Sequence, residues 1–206
     1  MRGTTRRGPV ADPHDSAGSS SGDADAVLSE PDGPTFLYEE SDGEIRYVES
    51  ETRLIDFDDD GVPDGYRKVT TETRETDLDG DGVADVIETI TFEETAVDVD
   101  GDGVYDVVTT VETDEIEMDF DGDGVSDSIE ITEVRTVAHD LDGDGVTEVV
   151  RTDVVTASGI DRDDEGTYGD VETAGVRIYA LDTDGDGTLD EVMTEELEVE
   201  VVTGDD

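Results

Sequence analysis

The chain has no cysteine among its 206 residues, which excludes a disulfide framework and a thiolate metal site alike. Positive charge is nearly as scarce. Twelve basic residues stand against 62 acidic ones, for a formal charge of −50. That excess repels the phosphates of nucleic acid and the surface of an anionic bilayer, so neither is an expected partner, whereas cations are. Only one basic residue is a lysine, Lys68; a GC-rich genome and adaptation to salt would each leave that bias. Apolar residues make up 33% of the chain, which is thin for a large core. No apolar run approaches the roughly 20 residues of a membrane-spanning helix. The opening MRGTTRRGPVADPHDSAGSS carries a basic cluster but no apolar stretch of a secretory signal. Two alternatives stay open: export from an upstream start, or residence inside the cell.

What the chain does have is a repeat. Asp56, Asp77, Asp98, Asp119, Asp140, Asp161 and Asp182 follow one another at an interval that never changes. They open the segments DFDDDGVPD, DLDGDGVAD, DVDGDGVYD, DFDGDGVSD, DLDGDGVTE, DRDDEGTYG and DTDGDGTLD. Carboxylates at loop positions 1, 3, 5 and 9, with a backbone carbonyl at position 7, are the oxygen set a hard divalent cation such as calcium takes. The candidate metal ligands are accordingly Asp56, Asp58, Asp60, Val62 and Asp64 in the first copy, and Asp77, Asp79, Asp81, Val83 and Asp85 in the second. The third and fourth supply Asp98, Asp100, Asp102, Val104 and Asp106, then Asp119, Asp121, Asp123, Val125 and Asp127. The fifth supplies Asp140, Asp142, Asp144, Val146 and Glu148, and the last Asp182, Asp184, Asp186, Thr188 and Asp190. The copy at Asp161 is degraded, with Glu165 at position 5, Gly169 at position 9 and Asp170 one place late. About six calcium sites are therefore expected, with a weak or missing seventh.

Four carboxylates gathered round one point repel unless a cation sits among them, so the free energy of binding becomes free energy of folding. Gly82 at position 6 permits the sharp turn such a loop needs, and Gly80 at position 4 is expected to relieve crowding. Valine at position 7 and an apolar residue two places after each loop (Tyr66, Ile87, Val108, Ile129, Val150, Val171 and Val192) are expected to form a small apolar layer beneath the loops.

Composition divides the chain into three parts. Residues 1–33 lack hydrophobic periodicity and read as disordered. Residues 34–55 read as a capping β-hairpin, TFLYEE and IRYVESETRLI around SDGE. Residues 56–206 are the seven-repeat array, whose connecting segments, such as VIETITFEETAV and SIEITEVRTVAH, are rich in strand-favouring Val, Ile and Thr. The fold class is all-β, an antiparallel β-meander of repeated strand-plus-calcium-loop units, either an open sheet or an up-and-down barrel. A parallel β-solenoid is the alternative. It would need corners that most segments lack, and it would stack Glu51, Glu72, Glu93 and Asp114 on one another. Phe92, Val134, Val155, Val176 and Leu197 hold one repeat position and are expected to face one core. Glu93, Glu94, Glu195 and Glu196 are expected to be a solvated face.

The loops resemble the calcium loops of integrin-type FG-GAP propeller blades, DxDxDGxxD between β-strands. They are also similar to the first half of an EF-hand loop and to dockerin and thrombospondin type 3 repeats. An EF-hand would carry glutamate at position 12; Glu88, Glu130 and Glu172 stand there, but Arg67, Thr109, Arg151 and Met193 do so in other copies. A propeller blade is far longer than one of these repeats, so the resemblance covers the loops alone. It implies calcium binding in a non-catalytic structural repeat protein of the extracellular space or cell surface. A calcium-dependent adhesion or interaction module is the alternative, with its protein or surface partner unspecified. No serine or threonine has a recognisable base and orienter, and neither His14 nor His139 has an evident partner, so no enzyme is expected.

Overall fold

The computed structural model describes residues 34–41, 43–162, 166–197 and 201–203. The segment read as disordered, 1–33, lies outside the described residues. Ten strands are present among them: β1 (Thr35–Ser41), β2 (Glu44–Ile55), β3 (Gly65–Thr76), β4 (Val86–Val97), β5 (Val107–Met118), β6 (Ser128–His139), β7 (Val149–Ile160), β8 (Asp170–Leu181), β9 (Glu191–Leu197) and β10 (Val201–Thr203). The strands β3 to β8 are equal in length, at 12 residues each, so each repeat divides into one loop and one strand.

Each strand from β1 to β8 pairs antiparallel with the next, and β9 and β10 both pair with β8. The meander is therefore the architecture, and the parallel solenoid is not. The sheet is also open rather than a barrel: among the described residues β1 pairs only with β2, at the end opposite β9 and β10. Every connection reverses the chain, so the loops at Asp56, Asp98, Asp140 and Asp182 line one rim of the sheet. Those at Asp77, Asp119 and Asp161 line the other.

The odd repeat length has a consequence for the faces. Residues directly opposite in an antiparallel ladder point to the same side. The observed register runs Thr70, Phe92, Glu112, Val134, Val154 and Val176 in one row, and Thr71, Thr91, Thr113, Glu133, Val155, Gly175 and Leu197 in the next. Val155 and Leu197 thus lie on the face opposite Phe92, Val134 and Val176, contrary to the expectation of one shared core. Paired residues share the same parity in every ladder, so an odd repeat length sends equivalent positions to alternate faces, and the true structural period is a pair of repeats. Both faces consequently carry similar side chains and neither is covered. Phe92 is 37% exposed, and Ala96, at 1%, is the buried hydrophobic residue found among those described.

The apolar layer beneath the loops is split in the same way. Leu54, Tyr66, Ala96, Val108, Ala138, Val150, Ala180 and Val192 form a row next to one rim. Ile87, Ile129 and Val171 lie in a row beside the other rim, on the opposite face. Two residues at loop position 8, Tyr105 and Tyr168, pack against these rows. The Tyr105 ring meets Tyr66 edge-on with centroids 5.7 Å apart, and Tyr168 packs where a Cβ on Gly159 would come 2.9 Å from its own Cβ. Val62 at position 7 does not join such a layer, being 63% exposed.

With so little buried, the ladder and its cross-strand pairs hold the sheet. Hydroxyls pair between Ser50 and Thr70 at 2.9 Å and between Thr136 and Thr152 at 3.1 Å. Each such pair contributes about 0.2–1 kcal/mol. The scarce cations engage strand acids: Arg46 with Glu72, Arg67 with Glu93, and Arg177 with Asp153, each through two guanidinium nitrogens. Glu93 and Glu94 are thus not simply solvated, since Glu94 also accepts the Tyr66 hydroxyl.

Two predictions arise at these positions. Arg46, donating at 2.8 and 2.7 Å, holds the Glu72 carboxyl down at about 2, and Arg74 adds to the effect. A carboxyl depressed in the folded state stabilises the fold above its unfolded pKa of about 4.3 and loses that contribution as pH falls toward the folded value. Glu72→Gln should therefore lower the urea midpoint at pH 7, with the gap to wild type closing between about pH 4.5 and 2; a pH-independent gap would contradict the pairing. Gly65 starts β3 where a Cβ would stand 2.1 Å from the Ala96 carbonyl oxygen. Gly65→Ala should cost about 1–3 kcal/mol, read as a lower melting temperature, although Val86, Val107 and Val149 start β4, β5 and β7.

Candidate metal centres

Each loop is built on its own carboxylates. In the second copy, Asp77 accepts the Gly80 N–H at 2.6 Å on Oδ1 and the Gly82 N–H at 3.0 Å on Oδ2. Asp79 accepts the Asp81 N–H at 3.0 Å, and Asp81 accepts the Val83 N–H at 2.8 Å. Asp85 accepts the Leu78 N–H and, through its own N–H, donates to the Thr76 carbonyl at 2.8 Å. These short bonds curl the chain so that alternate side chains converge. The loop at Asp98 repeats them at 2.7, 2.8, 3.2 and 2.8 Å, and the loops at Asp119, Asp140 and Asp182 follow the same pattern.

Glycine is needed at positions 4 and 6 because both have left-handed backbone: φ is +82° at Gly80 and +96° at Gly82. A Cβ on Gly80 would meet nothing within 4 Å. Its role is therefore conformational, and the expectation that it relieves crowding is corrected. Asp59 holds position 4 of the first loop at φ 60°, a conformation aspartate tolerates better than most residues.

The carboxylate oxygens of positions 1, 3 and 9 lie within 4.8 Å of one another in four loops: Asp56, Asp58 and Asp64; Asp77, Asp79 and Asp85; Asp98, Asp100 and Asp106; Asp119, Asp121 and Asp127. In the fifth, position 5 joins them, as Asp140, Asp142, Asp144 and Glu148. Position 5 (Asp60, Asp81, Asp102, Asp123, Asp144 and Asp186) accepts the N–H of position 7 on Oδ1 at 2.7–2.9 Å in all six loops, the fifth included. At the last loop Asp182 accepts Gly185 and Gly187, both at 2.8 Å, and Asp190 accepts the Thr183 N–H at 3.2 Å.

Two unit charges 4.8 Å apart repel by roughly 0.9 kcal/mol in water and about 3.5 kcal/mol at an effective dielectric of 20. The carboxylates gathered in one loop repel one another, and a bound cation turns that repulsion into attraction. Four of the position-1 carboxylates are buried, Asp119, Asp140, Asp161 and Asp182 being 4–8% exposed, whereas Asp56 is exposed and Asp77 and Asp98 are half-buried. The Gly124 N–H, followed by Gly122, holds the Asp119 carboxyl below its ordinary range, and Gly187 followed by Gly185 does the same for Asp182. These groups are kept ionised by backbone donors. The donor set is all oxygen, with no cysteine in the chain, which suits a hard cation and not one that seeks sulfur or imidazole.

The copy at Asp161 retains the frame but lacks the carboxylate at position 9. Asp161 accepts the Gly166 N–H at 2.8 Å, and Gly169 at position 9 donates to the Ile160 carbonyl at 3.1 Å, but offers no carboxylate. Residues 163–165, including Glu165, lie outside the described residues.

Two features have no counterpart in the ligand spacing. Position 2 is apolar in the first five loops and points outward: Phe57, Leu78, Val99, Phe120 and Leu141 are 66–73% exposed. The alternation of Asp with Phe, Leu or Val at positions 1 and 2 was the available signal. The second is a set of backbone bonds between loops on the same rim. Asp98, Asp119, Asp140, Asp161 and Asp182 donate their N–H groups to the carbonyls of Asp64, Asp85, Asp106, Asp127 and Glu148 at 2.7–3.0 Å. Backbone bonds leave no residue signature.

No family model matches the chain, and no curated protein and no solved structure matches it either. Fold and loops together define a class: an all-β tandem-repeat protein whose clustered acidic loops form candidate metal centres. Among the described residues no nucleophile, base and orienter come together. His139 faces Val107 and Val149 across the ladder, and no helix is long and apolar enough to cross a membrane.

Proposed function

We propose that the chain binds calcium through six of its loops and is a calcium-stabilised structural protein of the extracellular space or cell surface. The observation that carries this reading is the convergence of three or four carboxylates within 4.8 Å in successive loops, in a sheet with almost no apolar core. Positions 1, 3, 5 and 9 would hold the ion, with the carbonyls of Val62, Val83, Val104, Val125, Val146 and Thr188 completing the set. Calcium accepts six to eight oxygens in flexible geometry, whereas magnesium demands near-ideal octahedral geometry and sheds water reluctantly. Loops of this length with two left-handed glycines suit the former.

Extracellular placement would call for sites of the weaker class, with dissociation constants of about 10⁻⁴ to 10⁻³ M. Six divalent ions would lower the formal charge of −50 to roughly −38, so the loaded chain stays strongly anionic and self-repelling. Calorimetric titration with calcium and with magnesium tests the reading. Saturable calcium binding with magnesium at least tenfold weaker is expected; equal affinities, or no heat with calcium, would overturn it.

A second reading, a calcium-dependent adhesion module, is favoured by the outward Phe57, Leu78, Val99, Phe120 and Leu141 beside the loops. Replacing all five with serine would then abolish a calcium-dependent association while leaving ion binding intact.

A further inference from the structure

We infer that the loops of each rim bind calcium as one coupled row, and that the two rows are independent of each other. This rests on the calcium reading above and adds how the sites are regulated.

The connecting element is the backbone bond between loops of one rim. In each case the donor is position 1 of one loop and the acceptor is the carbonyl of position 9 of the loop two copies earlier: Asp119 to Asp85 at 3.0 Å, Asp140 to Asp106 at 2.9 Å, Asp182 to Glu148 at 2.8 Å. Positions 1 and 9 are both proposed ligands. Fixing the Asp85 side chain on an ion also fixes its carbonyl, and the carbonyl fixes the residue that opens the next site. The second loop then has less freedom to lose when it binds, which is positive coupling through ordering.

A further contact runs the same way. Asp81 and Asp102 at position 5 turn their Oδ2 atoms toward the next loop on the rim, where a Cβ on Gly122 or Gly143 would lie 3.6 or 3.2 Å from them.

Charge acts in the opposite direction, because an ion in one loop weakens the pull of its neighbour. Same-rim loops lie two strands apart, roughly 9.6 Å, which exceeds the Debye length of about 8 Å at physiological ionic strength. Screening therefore leaves ordering the stronger effect. The rims themselves are separated by 12-residue strands, roughly 40 Å, with no loop bridging them among the described residues. Neighbours in sequence are thus distant in coupling, and alternate copies are close.

The test uses the full chain titrated with calcium chloride in molar sodium chloride, where the sheet is expected to form before calcium is added, with the amide signals of the position-6 glycines followed by NMR. The double variant Asp121→Asn/Asp123→Asn disables the loop at Asp119 but keeps the Asp119 bonds to its glycines. It should move the midpoint of Gly82, on the same rim, about five- to tenfold toward higher calcium, while Gly103 and Gly145 shift less than twofold. Asp142→Asn/Asp144→Asn should do the reverse, moving Gly103 and Gly187 and sparing Gly82. Equal shifts on both rims, or an unmoved same-rim midpoint, would overturn the coupling while leaving calcium binding standing. Glycine signals that ignore calcium in the wild type would overturn both.

Discussion

Removing calcium with EGTA in low-salt buffer is expected to collapse the sheet, with loss of the β circular dichroism signal and of any cooperative melting transition. A site held at 100 times its dissociation constant stabilises the fold by about 2.7 kcal/mol, and six such sites by roughly 16 kcal/mol before any coupling within a rim is counted. A whole domain is stable by only about 5–15 kcal/mol. Ion binding is therefore large enough to decide whether the chain folds. Little else could replace it: Ala96 is the buried hydrophobic side chain among the described residues, and the arginine pairs on the strands are partly exposed. Molar sodium chloride shortens the Debye length to about 3 Å and should restore part of the structure without calcium. An unchanged spectrum and melting temperature after chelation would contradict the proposal.

Asp140→Ala is the single substitution expected to do most damage. Asp140 is 7% exposed, accepts the Gly143 and Gly145 N–H groups at 2.8 and 2.7 Å, and belongs to the four-carboxylate group with Asp142, Asp144 and Glu148. Hydrogen bonds to a charged group contribute about 1.5–3 kcal/mol each, so the loss of two costs about 3–6 kcal/mol before any ion is considered. The variant should bind one calcium fewer and melt well below wild type, with chelator erasing part of the difference. Asp142→Ala removes a proposed ligand but leaves both glycine bonds. It should lose the same ion at a much smaller cost to the apo protein. Equal melting temperatures for the two variants in chelator and molar sodium chloride, where the calcium-free sheet is expected to form, would show that the position-1 frame does not hold the loop.

These contrasts mark what the residues announced and what they concealed. The convergence of the loop carboxylates was legible because positions 1, 3 and 9 are fixed by spacing within one short loop, and the structure brings those side chains together locally. The meander was legible from the lack of corner signals and from the acids a solenoid would stack. The residue pattern is compatible with barrel closure as well, and the open sheet follows from β1 and β9 lying at opposite ends of the ladder. The faces were hidden. Phe92 and Val155 hold the same repeat position, yet the register puts them on opposite sides, and only the sum of paired residue numbers reveals it. Tyr66 and Glu94 likewise meet across β3 and β4 with no motif to announce them. The inter-loop bonds were hidden for a different reason: a peptide N–H and carbonyl look the same in every residue.

Six of the seven loops keep an acid at position 9, and calcium occupancy of these six is what would hold the sheet together. Mass spectrometry of the folded chain under non-denaturing conditions counts the ions at once. Close to six calcium ions per chain, removed together with the folded charge-state distribution by chelator, is the expected result. A compact chain carrying no calcium from a millimolar solution would contradict it.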